Sequence, residues 1–515
     1  MELWLLVFLS VTLSTLVLLL LDREIKIRRL PPGPPSVPIV GNLLWLRRSL
    51  REIEDILREL HARYGPVVTL HIGSRPVIFI ADRTIAHKAL VEHGAAFSDR
   101  PAPLPAVRFL SVSQHNISTA AYGPIWRLLR RNLSSEILHH SRVKIYAGGR
   151  AWVVGVLVQH LRSQADAHQG VVVAMESFQF AMFCLLVLMC FGEKLDEKAI
   201  KNVEEAQRSL LLYNRKLGVL AFAPSISRHI FRNRLKTALE MRKRQDQLYV
   251  PLIEARKEYK RQQQQPNEKE RFVYSYVDSL LEIELPEEGE RKLSDEEMVA
   301  LCSEFLNAGT DTTSTALQWI MANLVKHQDI QEKLRDEIDG ATAGRDEEEI
   351  KEEDLQRMPY LKAVILEGLR RHPPGHFVLN HAVTEDVDLC GYQIPKGTSV
   401  NFFVAEMNWD GNVWEEPMEF KPERFLSGGG VAVDITGSRE IKMMPFGVGR
   451  RICPGLGLAM LHLEYFVANL VREFEWKRVE GEEVDMTEKL EFTVVMKNPL
   501  RARIIPRRKI SAATP

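Results

Sequence analysis

The sequence predicts a mainly helical protein with small β-sheets, preceded by a membrane-spanning helix. Three observations support this fold class. Residues 3–21 form an apolar run, residues 67–81 contain β-rich stretches broken at Gly73 and Arg75-Pro76, and most of the remaining chain has apolar residues at helical spacing. Because no internal stretch is rich enough in Pro, Gly or Ser to divide the chain, we expect a single large body over residues 42–515.

The apolar run near the N-terminus has the length of a membrane anchor, since a helix of roughly 20 apolar residues crosses a bilayer. A cleaved signal peptide would have an apolar part of about 7–15 residues with a basic residue before it and a small-residue cleavage site after it, and the sequence shows none of these. Basic residues instead follow the run, which leaves the body of the protein in the cytosol. We expect residues 1–29 to form an uncleaved, single-pass anchor in the endoplasmic reticulum membrane, followed by a proline-rich hinge at residues 30–41.

Charge and cysteine content exclude several classes of protein. The chain has 68 Lys and Arg against 68 Asp and Glu, so its net charge gives no indication of a nucleic-acid partner. Its five cysteines are an odd number, and they have neither the spacing of a zinc site nor that of a disulfide scaffold. A reducing environment is therefore predicted for the body.

Two stretches bear on the helical organisation. Residues 256–291 are highly polar, and we expect a solvated helix end and loop there. Ser294 and Glu297 then form a capping-box pattern, which predicts a long helix from Ser294 to about His327.

A single cysteine near the C-terminus lies in the run FGVGRRICPG, residues 446–455. A thiolate bound to haem iron needs a tight loop whose N–H groups face the sulfur, and the glycines at 447, 449 and 455 relieve the steric cost of such a turn. Arg451 supplies a cation suited to a haem propionate. An isolated Cys453 would more often be a buried structural residue, so the iron-ligand interpretation depends on the surrounding pattern.

The predicted long helix carries AGTDTT at residues 308–313. Thr312 can hydrogen-bond to the Ala308 carbonyl one turn earlier, and such bonding loosens a helix locally. The small Ala308 and Gly309 would allow close approach of a cofactor, while Asp311 and Thr312 could carry protons. A polar patch on a core helix is the alternative interpretation.

Together these segments resemble the cytochrome P-450 superfamily. The cysteine run matches every fixed position of its F-x-x-G-x-R-x-C-x-G signature, and residues 308–313 match its A/G-G-x-D/E-T-T motif. Residues 367–370 resemble its E-x-x-R helix, residues 422–425 its PERF segment, and residues 126–130 its W-x-x-x-R element. The elements occur in the family's order along the whole chain, so the resemblance implies the P-450 fold.

The resemblance also implies roles for individual residues. Cys453 would bind the iron of haem b, within a loop that includes Phe446 and Gly447. Asp311 and Thr312 would deliver protons beside Ala308 and Gly309. Contact with the haem propionates is implied for Trp126, Arg130, Arg451 and His381. A buried charge network that holds the cysteine loop is implied for Glu367, Arg370 and Arg424.

The implied function is that of a monooxygenase, which oxidises a small, hydrophobic organic substrate with molecular oxygen. The electrons would come from NADPH through a membrane-bound NADPH-cytochrome reductase. A haem-thiolate isomerase or dehydratase and a non-catalytic haem sensor are the alternatives, and neither needs the pair Asp311-Thr312. Arg127, Arg131, Lys442 and Arg450 are the candidate reductase surface. The implied pocket comprises parts of residues 109–117, 376–379 and 492–496 with Phe305 and Ala308, where His115, Asn116, His376 and Thr493 are the polar candidates.

A narrower resemblance, to the plant A-type enzymes of family 89, subfamily A, is carried by residues 374–378 and 381–386. It implies a chlorophyll-derived linear tetrapyrrole as one candidate substrate. Asn380 departs from the proline expected at that position, so the adjacent strand is the least defined part of the implied pocket.

Deletion of residues 1–29 tests the predicted anchor. We expect the truncated protein to leave the membrane fraction largely while retaining haem, because the anchor lies outside the predicted body. Some peripheral association through apolar surface can remain, and alkaline carbonate extraction separates this from integration. A truncated protein that resists extraction as the full chain does would contradict a single N-terminal anchor.

Overall fold

The computed structural model describes residues 30–36, 42, 50–72, 75–102, 112, 115–221, 229–262, 273–343, 350–426 and 433–507. The predicted anchor, residues 1–29, lies outside these described residues, as do residues 37–41 of the hinge.

Helices dominate the described chain, which confirms the predicted class. In chain order they are α1 (Leu50–Tyr64), α2 (Arg83–His87), α3 (Pro124–Asn132), α4 (His140–Val143), α5 (Ala147–Ala167), α6 (Ala174–Phe191), α7 (Glu197–Tyr213), α8 (Arg232–Gln262), α9 (Tyr276–Leu280), α10 (Asp295–Lys326), α11 (Gln328–Thr342), α12 (Pro359–Arg371), α13 (Val404–Asn408) and α14 (Leu456–Glu473).

The strands are short and form small sheets, as expected. They are β1 (Val67–Ile72), β2 (Arg75–Ile80), β3 (Val171–Val173), β4 (Glu284–Leu285), β5 (Arg291–Lys292), β6 (His381–Ala382), β7 (Val387–Leu389), β8 (Tyr392–Ile394), β9 (Ser399–Phe402), β10 (Phe474–Lys477), β11 (Glu488–Leu490), β12 (Val494–Met496) and β13 (Arg501–Pro506).

The largest described sheet has the order β1-β2-β9-β6. Its β1–β2 hairpin pairs Val67 with Ile80 and Ile72 with Arg75, which confirms the hairpin predicted for residues 67–81. β9 then pairs parallel to β2 and antiparallel to β6, so the sheet is mixed. A second sheet has the order β10-β13-β3, and its strand β3 contacts α5.

Helix α10 occupies the centre of the helical body. Its capping box is formed as predicted: Ser294 Oγ accepts from Glu297 N, and Glu297 Oε2 accepts from Ser294 N at 2.7 Å. The helix runs from Asp295 to Lys326, in agreement with the predicted limits. It packs against α6, α7, α8, α11, α12 and α14.

Two glycines allow this close packing. A Cβ at Gly368 of α12 would lie 2.4 Å from Ile320 Cγ1 on α10, and a Cβ at Gly309 of α10 would lie 2.7 Å from Leu186 Cδ1 on α6. Side chains cannot approach so closely without shifting, because protein interiors are already densely packed. Glycine at both positions therefore lets α12 and α6 lie directly against α10.

Among the described residues, α6 is the one helix with the length and apolar composition of a membrane span. Nearly all of it is buried inside the body. Its uniformly apolar composition is that of a helix surrounded by protein on every side.

The prediction of a solvated segment over residues 256–291 is wrong for its middle part. Helix α9 is buried throughout, and Asp278 on it accepts from Arg256 Nε at 2.6 Å in a buried ion pair. Polar composition misled the prediction because the two opposite charges of Arg256 and Asp278 compensate each other inside the protein.

Candidate functional site

The cysteine loop is a tight turn at the start of α14. Cys453 N donates to Phe446 O at 2.9 Å, and Gly447 N donates to Met444 O at 3.0 Å. Gly447 and Gly449 have φ values of 67° and 77°, in the left-handed region that favours glycine. A Cβ at Gly449 would lie 2.1 Å from the Leu90 carbonyl oxygen, so only glycine fits there.

Opposing influences act on the Cys453 thiol. Burial raises its pKa, while a hydrogen bond from the Gly455 backbone and the positive charge of Arg130 lower it. Cys453 also precedes α14 directly, and the N-terminus of a helix favours a negative charge. A sulfur that is half-buried, faced by an N–H group and close to a cation is suited to ligate a metal as thiolate.

Three arginines converge beside this loop. Arg451 donates to Ser98 O at 2.7 Å, to Ile117 O at 3.2 Å and to Ala120 O at 2.7 Å. Arg100 donates to the carbonyl oxygens of Ser118, Leu379 and Asn380, and Arg130 donates to that of Ile452 at 2.5 Å. These three side chains, Arg100, Arg130 and Arg451, are called the arginine cluster below.

The arginine cluster has a surplus of positive charge. Burial, and then repulsion by Arg100, lowers the pKa of Arg451 to about 9, despite the attraction of Asp99. Burial also lowers the pKa of Arg100 to about 10 and lowers that of Arg130. Guanidiniums that are oriented by carbonyl dipoles and repel one another would be stabilised by added carboxylates. The residues present therefore fit the propionates of haem b.

Trp126 and His381 lie next to the arginine cluster. Trp126 Nε1 donates to Ile117 O at 3.1 Å, and its ring lies 4.3 Å from the guanidinium carbon of Arg451. His381 lies on β6 with Nδ1 at 2.6 Å from Phe97 O, and burial, followed by repulsion from Arg100, lowers its pKa to about 3. His381 is therefore a neutral ring at physiological pH.

The middle of α10 exposes a face of small side chains. Ala308 is exposed and Gly309 and Thr312 are half-buried, although most of the flanking helix is buried. Thr312 Oγ1 donates to Ala308 O at 2.6 Å, the bond expected from the sequence. The contact of Gly309 with Leu186 accounts for that glycine by helix packing, and the exposed surface is provided by Ala308.

Asp311 faces α6 and α7. Its Oδ1 accepts from Gln179 Nε2 at 3.1 Å and from Arg208 Nη1 at 3.2 Å, and Arg208 Nη2 also pairs with Glu491 at 3.3 Å. Burial raises the pKa of Asp311, while Arg208 and Gln179 oppose that rise. The carboxyl group is therefore closer to its protonated form than an exposed aspartate would be.

The predicted charge network is present and buried. Arg370 donates to both carboxylate oxygens of Glu367, at 2.7 and 2.8 Å, and both side chains are fully buried. Arg424 Nε donates to Glu367 Oε1 at 3.2 Å. Arg370 also donates to the carbonyl oxygens of Asn408, Pro417 and Glu419.

This network reaches the cysteine loop through α13. Asn408 Oδ1 accepts from Met444 N at 2.9 Å, and Met444 O accepts from Gly447 N at 3.0 Å. The carboxylate of Glu367 is thus connected to the loop by successive hydrogen bonds, although it lies on a different helix.

The four polar pocket candidates all have partners within the protein. His115 lies 2.5 Å from Glu297 and 3.0 Å from Glu288, and His376 Nδ1 lies 2.8 Å from Glu54. Asn116 Oδ1 accepts from Thr119 N, three residues further along the chain. Thr493 Oγ1 pairs with the hydroxyl group of Thr315 at 2.8 Å. Of the apolar candidates, Leu379 and Phe492 are exposed, whereas Phe305 packs against Tyr276.

The candidate reductase residues lie close to the loop. Arg450 and Arg127 both stack on Tyr122, and both are exposed, as is Arg131. Lys442 is half-buried and pairs with Glu440 at 3.2 Å. The sequence indicated only a structural role for Arg100, within a family element at residues 97–101. Gln179 and Arg208 were not predicted, because single residues outside the motifs give no signal of their distant partners.

Comparison with known proteins agrees with this site. The family model described as Cytochrome P450 matches residues 31–505. The protein "Cytochrome P450 89A9" of Arabidopsis thaliana is 48% identical over 99% of this chain and 100% of its own length. "Flavonoid 3'-monooxygenase CYP75B137" of Crocosmia x crocosmiiflora is 31% identical, over 97% of each chain, and "Isoflavone 2'-hydroxylase" of Medicago truncatula is 30% identical, over 94% of this chain and 93% of its own.

A half-buried cysteine in a tight glycine-rich loop, with a cluster of arginines beside it, is the arrangement expected of a haem-thiolate protein. The chain belongs to the cytochrome P450 family, and it is a monooxygenase. Members of this family bind haem b through a cysteine thiolate. The predicted resemblance to plant subfamily 89A is confirmed by the 48% identity.

Glu367→Gln tests the energetic weight of the charge network. The change leaves the buried Arg370 without a full counter-charge, so we expect the free energy of unfolding to fall by about 3–5 kcal/mol. Denaturant unfolding followed by circular dichroism measures this loss. Glu423→Gln, in the nearby pair with Lys333 whose side chains are both half-exposed, is the control and should change it by less than about 1 kcal/mol. Equal effects of the two substitutions would contradict the assignment.

Proposed function

We propose that this enzyme oxidises a small, hydrophobic organic substrate with molecular oxygen, using electrons from NADPH that arrive through a membrane-bound NADPH-cytochrome reductase. Cys453 is the proposed iron ligand. The observation that carries this proposal is the surroundings of its sulfur, which lies half-buried just before α14 and is faced by the Gly455 N–H and Arg130. When bound, haem supplies the oxygen activation and the oxidation of the substrate.

The proposed contacts with the cofactor are of two kinds, those near the Cys453 sulfur and those with the haem propionates. Phe446 and Gly447 shape the turn behind Cys453, and Ala308 offers a small side chain on the exposed face of α10. The proposed propionate partners are Arg451, Arg130, Trp126 and His381. Because His381 Nδ1 donates to Phe97 O, the ring would donate its other N–H to a propionate only when protonated, a state that the negative charge of a propionate would favour.

Thr312 and Asp311 are the proposed proton-delivery pair. Thr312 Oγ1 donates its hydrogen to Ala308 O, which leaves the hydroxyl oxygen free to accept a hydrogen bond from a water molecule. To pass a proton on, the hydroxyl would rotate away from Ala308 O while it accepts a proton from that water. Burial raises the pKa of Asp311, and a carboxyl group whose pKa lies nearer to the working pH is the better proton donor. The two side chains face different neighbours, so we propose that water connects them.

The proposed substrate is hydrophobic because the exposed side chains of the implied pocket are apolar. Leu379 and Phe492 are 56% and 43% exposed, which is unusual for large apolar residues. The four polar candidates bind other protein groups, so we propose that apolar contact dominates recognition. A linear tetrapyrrole remains the candidate suggested by the resemblance to subfamily 89A.

The cellular setting is proposed from the sequence and the relatives. Residues 1–29 would form a single-pass anchor in the endoplasmic reticulum membrane, residues 30–41 a hinge, and residues 42–515 one catalytic body on the cytosolic face. The relatives over nearly the whole chain are plant P450 enzymes, which are generally microsomal.

Cys453→Ser tests the iron ligand. A serine oxygen does not reproduce thiolate donation, so we expect the reduced, carbon-monoxide-bound protein to lose the red-shifted Soret band after which the family is named. Cys390→Ser, at an exposed turn between β7 and β8, is the matched control and should keep the band. Retention of the band by Cys453→Ser would rule out this ligand.

Turnover by the intact enzyme with reductase distinguishes the monooxygenase from the alternatives. Consumption of NADPH and oxygen in step with product formation is expected. An isomerase, a dehydratase or a sensor would show no such stoichiometry.

Thr312→Ala tests proton delivery. The substitution removes one hydroxyl group while Cys453 and the arginine cluster stay in place, so haem content should be unchanged. Product formation should fall roughly 10²–10⁴-fold, the range for loss of a positioned proton-transfer group, with more hydrogen peroxide released per NADPH consumed. Thr313→Ala, the buried neighbour, is the control. Tightly coupled turnover by Thr312→Ala would overturn the role of its hydroxyl.

Charge reversal tests the reductase surface. Arg127→Glu with Arg450→Glu should slow reduction by the reductase and weaken its dependence on ionic strength, because surface charges steer association. Arg261→Glu, at the exposed end of α8, is the control. Stopped-flow reduction at low and high salt measures both effects, and rates equal to those of the control would remove these arginines from the interface.

A further inference from the structure

A short segment at residues 117–120 provides the carbonyl oxygens that orient the neighbouring side chains. Ile117 O accepts from both Trp126 Nε1 and Arg451 Nη1, and Ala120 O accepts from Arg451 Nη2. Ser118 O accepts from Arg100 Nε at 2.8 Å. The directions of two guanidiniums and one indole therefore depend on where this segment lies.

The first two N–H groups of the same segment, those of Ile117 and Ser118, are held by a single side chain of α10. Glu304 Oε2 accepts from Ile117 N at 2.8 Å, and Glu304 Oε1 accepts from Ser118 N at 2.6 Å. Each carboxylate oxygen is thus engaged by one backbone donor. Charge-assisted hydrogen bonds of this kind are about twice as strong as neutral ones.

Glu304 has the right place in the helix for this contact. It lies one turn before Ala308, on the helix that carries the proposed proton-delivery residues, and it is half-buried within an otherwise apolar stretch, residues 298–306. A carboxylate placed among apolar residues is unfavourable unless it is fully hydrogen-bonded. Here the two backbone donors provide that compensation.

A second contact links the residues just before this segment to the same helix. His115 lies 2.5 Å from Glu297, seven residues and two helical turns before Glu304. Glu297 and Glu304 therefore lie on one face of α10, and the chain from residue 115 to residue 118 runs along that face. The contact between His115 and Glu297 limits the freedom of the adjacent 117–120 segment. It does not involve the carbonyl oxygens that bind the arginines.

We propose that Glu304 is a positioning residue for the cofactor: its carboxylate fixes the 117–120 segment, which in turn directs Arg451 and Arg100 at the haem propionates and holds Trp126 against Arg451. This inference rests on the proposed function, in which these side chains meet the cofactor. Loss of Glu304 would release the segment, and the guanidiniums would no longer converge.

The chain contains a matched control. Glu337 on α11 also accepts two consecutive backbone N–H groups, from Tyr360 at 2.7 Å and from Leu361 at 2.8 Å, at the start of α12. Burial raises the pKa of both carboxyl groups, and each lies near one cation, Arg100 for Glu304 and Lys333 for Glu337. Glu337 makes no contact with the 117–120 segment among its described hydrogen bonds.

The experiment measures transfer of haem from the full-length holoenzyme to excess apomyoglobin. In Glu304→Gln the amide nitrogen would face one backbone N–H group, so one bond is lost and two donors oppose each other. We expect haem transfer to be roughly 10- to 100-fold faster than in the wild type, the factor that corresponds to loss of a charge-assisted hydrogen bond. Glu337→Gln should transfer haem at close to the wild-type rate.

Thermal unfolding of the same variants separates positioning from general destabilisation. Both glutamine variants should lose similar stability, whereas only Glu304→Gln should lose haem faster. Wild-type haem transfer by Glu304→Gln, or equal acceleration in Glu337→Gln, would overturn the proposal. If Glu304→Gln does not fold, Glu304→Asp replaces it; its shorter side chain cannot reach both donors, and wild-type transfer by this variant would likewise overturn the proposal.

Failure of this inference and failure of the proposed function give different results. An unchanged haem transfer rate in Glu304→Gln would leave the spectrum of Cys453→Ser and the turnover of the wild type unaffected. A wrong ligand assignment would appear in the spectrum of Cys453→Ser, whatever the transfer rate of Glu304→Gln.

Discussion

The buried pair of Glu367 and Arg370 is the constraint on which the position of the cysteine loop depends. Neither charged group has access to water, so each must be compensated by other protein groups. These groups make successive contacts that lead from the ion pair to the cysteine loop. Carbonyl oxygens from the chain between α13 and the 422–425 turn bind Arg370, and Asn408 connects this region to Met444 and the loop. A reactive sulfur is thus held by groups that take no part in its chemistry.

Much of the fold and the centre of the site could be predicted from the sequence, because those features depend on local patterns. The capping box at Ser294 specifies the start of α10 through two hydrogen bonds between residues three apart. The turn around Cys453 needs glycines at defined positions, and left-handed φ values at Gly447 and Gly449 are the physical reason. Motifs of this kind carry their geometry within a few residues.

Features that depend on distant partners could be predicted only where the family resemblance supplied them, as it did for Glu367 and Arg424. The contact of Gly309 with Leu186 on α6, a reason for glycine there besides the predicted approach of the cofactor, was not predicted. His115 and His376 were candidates for substrate contact, yet Glu297 and Glu54 lie beside them. The polar stretch that contains Arg256 was expected to be solvated, and its charge is neutralised by Asp278. In each case a tertiary neighbour, invisible in a local pattern, decides what the residue does.

Arg208 joins three parts of the molecule, since it lies on α7 and contacts both Asp311 on α10 and Glu491 beside β11. Its positive charge lowers the proton affinity of Asp311, and Coulomb attraction weakens with distance. Outward movement of α7 would weaken this attraction and would also admit water to the carboxyl group, and these two changes act on its proton affinity in opposite directions. The acidity of Asp311 on the central helix therefore depends on the position of a neighbouring helix.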